Sequence, residues 1–206
     1  ERRGISPELG REDVSPRLDL PGDWESYLLG LSKKDRHELR RKLRRLYSAG
    51  EVVVETVTDR AARATDVTDY LNLHRLGAEN KASFMTPAME EFFRDLVDEF
   101  APRGLLRLYF LTLNGVRVAA VILFDYRGEF LLYNSGYDPA YSHLSVGLLL
   151  KAFCIRDAIA EGRRGFDFLQ GDEPYKYDLG ATDTPIYRMR VKLGAPARES
   201  ESFANV

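Results

Sequence analysis

Three apolar runs near the middle of the chain, joined by two tight turns, constrain the fold more than any other feature. The runs cover residues 105–113, 116–126 and 129–135. Asn114-Gly115 separates the first two runs and Arg127-Gly128 the last two. Two-residue connections of this kind close β-hairpins. The sequence therefore predicts three consecutive antiparallel strands.

Helical and strand-like segments flank this meander. The patterns before it predict a helix over residues 32–49, a strand from Glu51, and helices over residues 61–81 and 86–100. The patterns after it predict a helix capped by Ser145 over residues 146–161, a strand over 165–169, a polar turn and a strand over 186–192. This order indicates one mixed α/β domain over residues 23–206.

Composition and the first residues of the chain bear on its domain boundaries and on its cellular compartment. Residues 1–22 mix charges with Gly and Pro, which predicts a linker or an extended arm. The chain begins at Glu1 rather than Met, which we interpret as a piece of a longer protein. Cys154 is the one cysteine, so an internal disulfide is excluded and a reducing, cytoplasmic location is predicted. The longest apolar run, residues 118–124, is too short to span a membrane.

The helix over residues 32–49 is strongly basic. It carries eight Lys or Arg residues between Lys33 and Arg45, against Asp35 and Glu38. One interpretation is contact with an anionic substrate, since arginine forks match oxyanions. The other is a solvated face on a helix that packs through its leucines. The net charge of −2 and the lack of an interleaved aromatic face argue against nucleic acid as a general partner.

A second group of ionisable residues follows the strand FDFL. The segment FDFLQGDEPYKYDLGA brings Asp172, Glu173, Tyr175, Lys176 and Tyr177 together. One interpretation is a solvated loop in which Lys176 pairs with Glu173 at i, i+3 spacing. Asp167, inside FDFL, is interpreted as a side chain that caps a neighbouring turn. Three histidines and one cysteine show no metal-ligand spacing, so no metal is expected.

These segments resemble one branch of the GNAT acyltransferase superfamily. FDFLQGDEPYKYDLGA resembles the DFG…YK…G pattern of the CelD-like branch, which is related to the Fem-type transferases. LSKKDRHELRRKLRRLYSAGEV resembles the basic helix that begins the second lobe of these two-lobed proteins, and NSGYDPAYSHLSVGLLL also agrees with the branch. The resemblance covers roughly residues 20–192. It implies a GNAT-like fold, with a largely antiparallel central sheet flanked by helices, and a preceding GNAT-like lobe of the same chain.

The resemblance implies an acyltransferase. The expected reaction moves an acyl group, from acetyl-CoA or another acyl-CoA, to an amine or hydroxyl of a sugar or cell-envelope precursor, as in polysaccharide biosynthesis. Two alternatives stay open: an aminoacyl-tRNA donor, as Fem-type enzymes use, and a non-catalytic lobe that docks substrate. The partners expected are thus a small-molecule or glycan-precursor acceptor and the preceding lobe.

The resemblance also implies site residues. In the GNAT fold the fourth and fifth strands diverge around the thioester, and here these are residues 129–135 and 165–169. Glu173 or Asp172 is expected as the base if burial raises its pKa, Lys176 as the ligand of the oxyanion or a donor phosphate, and Tyr175 or Tyr177 as the proton donor to the thiolate. The residues expected at the donor are Tyr133, Asn134, Ser145, Val146 and Gly147, and those at the acceptor are His74, Arg75, Lys34, Arg36, Arg40 and Asp172.

Two of these assignments have simpler alternatives. The family loop at the donor diphosphate has Arg or Gln followed by two glycines, whereas this chain has only Gly147, with Ser142 and Ser145 nearby. The segment is therefore also interpreted as a helix N-cap followed by core leucines. His74 is alternatively a structural histidine whose ring bonds a backbone carbonyl.

Overall fold

The computed structural model describes residues 7–58, 64–77 and 84–191. Its elements run in this order: β1 (Pro7–Asp19), α1 (Trp24–Gly30), α2 (Lys33–Ser48), β2 (Val52–Thr58), α3 (Ala64–Leu76), α4 (Pro87–Phe100), β3 (Leu106–Leu113), β4 (Val116–Tyr126), β5 (Glu129–Tyr137), α5 (Val146–Ala160), β6 (Gly165–Asp167), α6 (Pro174–Asp178) and β7 (Thr182–Val191). The outer parts of the helix predicted over residues 61–81 and the end of the last predicted strand lie outside the described residues.

The predicted meander is confirmed. β3, β4 and β5 are consecutive antiparallel neighbours in a seven-stranded sheet of order β2-β3-β4-β5-β6-β1-β7. Both turns have two left-handed central residues, with φ of 51° at Asn114, 80° at Gly115, 50° at Arg127 and 78° at Gly128. This is the hairpin turn whose twist matches that of the flanking strands.

Helices cover both faces of the sheet, which makes the mixed α/β class correct. On one face α1, α2 and α5 enclose a core to which β3 contributes Tyr109 and Leu111. On the other face α3 and α4 pack on Leu108 and Phe110 of the same strand. The alternation along β3 follows from the two-residue period of a strand that is buried on both sides. Within the described ranges, every helix is too short or too polar to span a bilayer.

Residues 7–19 are a strand of the sheet, so the interpretation of residues 1–22 as a linker or extended arm is corrected for this part, and residues 1–6 lie outside the described residues. β1 pairs antiparallel with β7 through Pro7–Arg17 and with β6 through Arg17–Asp19. The second half of the strand alternates, with Val14, Pro16 and Leu18 buried between more exposed neighbours. The charged residues Glu8, Arg11 and Glu12 lie at exposed positions of the strand, whereas Pro16 is buried.

Candidate active site

The site begins where two parallel neighbours, β5 and β6, separate. They pair at three positions only, from Glu129 opposite Gly165 to Leu131 opposite Asp167. β5 then continues to Tyr137, while β6 ends and the chain turns away. The structure therefore contains the gap between diverging strands that the family resemblance implies.

A cleft of about 590 Å³ fills this gap. Its walls are β5 and the start of α5 on one side and the segment after β6 on the other. The residues that line it are Leu132, Tyr133, Asn134, Ser135, Tyr137, Ser142, Ser145, Val146, Gly147, Leu148, Lys151, Phe168, Leu169, Gln170, Glu173, Tyr175 and Lys176. All five residues expected at the donor are among them, and so are the candidate catalytic residues Glu173, Tyr175 and Lys176, whereas the alternatives Asp172 and Tyr177 are not. The structure thus brings these eight residues to one cleft, and their roles remain predictions.

A β-bulge interrupts β5 inside the cleft. Leu123 of β4 opposes Leu132 and the adjacent Ile122 opposes Asn134, so Tyr133 has no partner in the ladder. A bulge leaves such a residue unpaired and re-aims its neighbours. Since β6 has already ended, the β5 backbone beyond Leu131 also lacks a neighbouring strand on the cleft side among the described residues. Within this stretch the Ser135 N–H already donates to Asn134 Oδ1 at 2.7 Å, so the backbone without a ladder partner is that of the bulge at Tyr133.

The first turn of α5 lies at another part of the cleft wall. Val146, Gly147 and Leu148 open this helix, and the first N–H groups of a helix have no partner within it. Ser145 adopts a left-handed conformation, with φ of 59°, and its hydroxyl does not cap the helix, so the predicted N-cap contact is wrong. A Cβ on Gly147 would approach the Tyr137 ring to 3.0 Å, so the glycine lets α5 pack close to β5.

Lys176 lines the cleft, but it is buried and its ammonium is bound by the loop after β6. Its side chain is 2% exposed, so the interpretation of this segment as a solvated loop does not hold for Lys176. The ammonium donates to the carbonyl oxygens of Leu169, Gln170 and Gly171 at 2.9–3.1 Å. It also lies 2.8 Å from Glu173. An ammonium has three N–H groups, and these acceptors occupy them all.

Glu173 is the carboxylate that lines the cleft, and its pKa shifts in the direction opposite to the one expected. Burial disfavours its charge, but the hydrogen bond from Lys176 and the lysine's charge outweigh burial, so the pKa of Glu173 is lowered. The expectation was a pKa raised by burial. The difference arises because Lys176, and not an apolar wall, is the nearest neighbour of the carboxylate.

Tyr175 and Lys151 meet across the cleft. Burial raises the pKa of Tyr175 well above its usual value, and the charge of Glu173 adds to the rise, so the phenol stays protonated at neutral pH. Lys151 Nζ lies 4.8 Å from the centre of the Tyr175 ring and 3.2 Å from the Gly147 carbonyl oxygen. Lys151 is 7% exposed. Sequence reasoning missed it, although a lysine inside the otherwise apolar run LLLKAF was the available signal.

The loop after β6 forms one lip of the cleft and is attached to β1. Asp167 Oδ1 accepts the Leu169 N–H at 2.7 Å, which confirms that Asp167 caps a turn, and it also accepts the Ser15 hydroxyl at 2.7 Å. The Phe168 N–H donates to Pro16 and the Gly171 N–H to Val14. Leu169 itself is left-handed, with φ of 57°, which ends β6 two residues before its predicted end.

The three basic residues expected at the acceptor lie on α2, away from the cleft lining. Arg40 pairs with Glu25 at 3.2 Å. Arg36 donates to the Leu29 carbonyl at 3.3 Å. Lys34 lines a separate pocket of about 230 Å³ between α2 and α6. The structure does not bring these side chains to the cleft, and their contact with substrate remains a prediction.

His74 and Arg75 lie on α3, on the far face of the sheet. The His74 ring packs among Tyr70, Phe84 and Phe93 and is 2% exposed. Arg75 pairs with Glu90 of α4. Asp172 is exposed on the loop after β6 and does not line the cleft. No group of three potential metal ligands is found in the described part of the chain.

Comparison with known proteins identifies the family. The model of the acetyltransferase (GNAT) domain family matches residues 33–177, more than half of the chain. The chain therefore belongs to the acetyltransferase (GNAT) domain family. A search of curated proteins finds no match.

Solved structures share the fold. FemX superposes with a TM-score of 0.68 at 10% identity, over 88% of this chain and 64% of FemX. A conserved protein of unknown function from Bacteroides thetaiotaomicron VPI-5482 gives 0.64 at 16% identity, over 94% and 63%. L-PGS from Bacillus licheniformis gives 0.56 at 12% identity, over 89% and 61%. At these identities the likeness shows the fold alone, and the chain spans slightly under two thirds of each of these structures.

Proposed function

We propose that this domain transfers an acyl group to an amine or hydroxyl of a sugar or cell-envelope precursor. The proposed donor is an acyl-CoA, with acetyl-CoA as the first candidate. The observation that carries the proposal is the cleft between β5 and β6, with a helix N-terminus in one wall and ionisable side chains in the other. Membership of the GNAT family supports acyl transfer. The acceptor class follows from the resemblance to the CelD-like branch.

The residues present fit an acyl-CoA. The open amides of α5 suit an anion such as the donor's diphosphate, because a helix N-terminus carries partial positive charge. The apolar side chains of Leu132 and Phe168 line the space between the strands, which suits a narrow chain such as pantetheine. Arg45, close to Ser145, has a buried Nε with no hydrogen-bond partner among the described residues. Bound in this way, acyl-CoA supplies an activated thioester carbonyl.

The chain's own groups then have three tasks. Backbone N–H groups at the β5 bulge hold the negative charge that develops on the carbonyl oxygen. The protonated phenol of Tyr175 donates a proton to the departing sulfur. Glu173 accepts the proton of the attacking amine or hydroxyl, as the carboxylate in the cleft lining. Lys176 keeps Glu173 and the lip of the cleft in place and does not itself contact the donor.

A direct test combines binding and transfer. Calorimetry with acetyl-CoA measures donor binding, and release of CoA thiol in the presence of amino sugars and amines measures transfer. The single cysteine, Cys154, is buried and does not disturb a thiol assay. Substitution Tyr175→Phe is expected to reduce transfer by about a hundredfold and to leave binding within about twofold, since one positioned acid contributes this much. Absence of acetyl-CoA binding to the intact protein would refute the proposal.

One observation favours a second candidate, a lobe that binds donor or acceptor without catalysis. The lowered pKa of Glu173 makes it a weak base, and the ammonium of Lys176 is occupied by structural acceptors. Under this alternative, acetyl-CoA or aminoacyl-tRNA binds but no acceptor is modified. Assaying both donors in parallel with the wild-type and Tyr175→Phe proteins distinguishes the candidates, because only catalysis depends on the phenol.

A further inference from the structure

Helix α2 directs one guanidinium at the start of α5. Arg45 Nη2 donates to the Ser145 hydroxyl at 3.3 Å, and Ser145 immediately precedes the first residue of α5. The Nε of the same group is buried and has no hydrogen-bond partner among the described residues. Buried donors are rarely left in this state unless a ligand or water completes them. Arg45 therefore keeps an unused donor, and its guanidinium bonds Ser145 of the cleft lining.

The charge around Arg45 points to an anion. Three of the seven other cations of α2 have counter-charges, since Arg40 pairs with Glu25, and Arg41 and Lys42 both pair with Glu38. Arg45 forms no ion pair with any carboxylate that the structure describes. It faces the positive end of the α5 dipole, an arrangement that is unfavourable unless negative charge lies between them.

A purely structural explanation accounts for only part of this geometry. Arg45 lies in the last turn of α2, where a cation interacts favourably with that helix's own terminal carbonyls. That interaction explains why the charge is tolerated. It does not explain why Nη2 is directed to Ser145 or why Nε is buried without an acceptor.

We infer that Arg45 binds the diphosphate of the donor in front of the first turn of α5, together with the amides of Val146 and Gly147. This inference rests on the proposed function. A guanidinium offers its N–H groups as a planar fork that matches phosphate oxygens, and Arg45 has such a donor to spare. Arg45 precedes Ser145 by one hundred positions in the chain, so the sequence around Gly147 gives no sign of this cation.

The test compares three ligands that differ in their phosphates. These are acetyl-CoA, its 3′-dephospho form, which keeps the diphosphate, and acetyl-pantetheine, which has none. Calorimetry is run on the wild type, Arg45→Gln, Arg45→Lys and the control Arg44→Gln, since Arg44 is an exposed arginine of the same helix. Arg45→Gln is expected to weaken acetyl-CoA and the dephospho form by about tenfold to a hundredfold, as for the loss of a charged hydrogen bond. Acetyl-pantetheine binding should be unchanged, and Arg45→Lys should fall between.

Each other outcome has a definite meaning. If the wild type binds neither CoA form, the proposed function fails and this inference fails with it. If the wild type binds and Arg45→Gln binds equally well, or loses all three ligands equally, the inference alone is overturned. Loss confined to acetyl-CoA would place Arg45 at the 3′-phosphate and also overturn it. If Arg45→Gln does not fold, the decision passes to Arg45→Lys, for which unchanged affinity for both CoA forms overturns the inference.

Discussion

Lys176 Nζ lies 2.8 Å from Glu173 Oε2, yet the two side chains differ sharply in exposure, at 2% for the lysine and 56% for the glutamate. The lysine therefore belongs to the interior and the glutamate to the rim of the cleft. Because three backbone carbonyls also accept from the ammonium, Lys176 organises the loop that ends at Gly171. The ion pair is one of four contacts and not the main reason for the burial of Lys176.

Replacing Lys176 by Met should destabilise the fold. The change leaves three carbonyl oxygens of the loop without their donor, and removal of one partner from a buried polar group is costly. We expect the free energy of unfolding to fall by about 3 kcal/mol. Urea unfolding of the variant measures this. The matched control Glu173→Gln should change it by less than about 1 kcal/mol, because that partner is exposed. A loss below about 1 kcal/mol for Lys176→Met would contradict the structural role.

The Glu173–Lys176 pair should make stability depend on pH at the acidic end. The folded protein lowers the pKa of Glu173 below its ordinary 4.5, through Lys176. A group with a depressed folded pKa adds stability that is fully present above the unfolded pKa and is lost as the pH falls through the folded pKa. The stability difference between wild type and Glu173→Gln should therefore be largest near neutral pH and shrink as the pH falls below 4.5 towards the lowered folded pKa of Glu173. Urea titrations of both proteins from neutral to acidic pH test this, and a difference that grows on acidification would show the opposite sign.

Gly136 of β5 should not tolerate a side chain. A Cβ there would lie 2.4 Å from the backbone of His74, so α3 would have to move off the sheet. We expect Gly136→Ala to lower the free energy of unfolding by about 1–3 kcal/mol, as other forced overpacking does. Gly10→Ala is the matched control on β1, since nothing lies within 4 Å of its Cβ position. Equal stability of the two variants in urea would rule out the close contact between α3 and β5.

Cys154 should be chemically inert in the folded protein. The thiol is buried in α5, and burial, with the nearby charge of Asp157, raises its pKa well above the ordinary value. Thiolate is the reactive form, so a disulfide reagent should label the protein only as it unfolds. The expected result is negligible labelling in buffer and one equivalent in denaturant. Rapid labelling of the native protein would show that α5 opens readily.

Much of the fold follows from local patterns in the sequence. The meander from β3 to β5 was predictable because its turns and its apolar alternation are encoded by adjacent residues, as at Asn114 and Gly115. The caps at Ser32 and Thr86 are likewise local, and both hydroxyls accept an N–H three residues later. Ser145 failed as a cap because the short 3₁₀ turn before it forces a left-handed backbone there.

The site was less predictable than the fold because its chemistry depends on contacts between distant residues. The segment around Tyr175 and Lys176 was found from family resemblance, but the direction of the Lys176 ammonium depends on how the loop from Leu169 turns. Arg45 meets Ser145 only after α2 has packed beside α5. The residues of α3, such as His74, pack on the opposite face of the sheet, a consequence of topology that no local pattern encodes.

The place of β1 between β6 and β7 has a consequence for the order of assembly. Val14 and Pro16 accept N–H groups from residues more than 150 positions later, so the lip of the cleft cannot close until nearly all of the described chain has been synthesised. Contacts of such long sequence separation close slowly. β1 would emerge from a ribosome long before its partners β6 and β7 and would remain unpaired until they follow. We therefore expect a nascent chain to acquire its ligand-binding capacity late and abruptly, after the central meander is already compact.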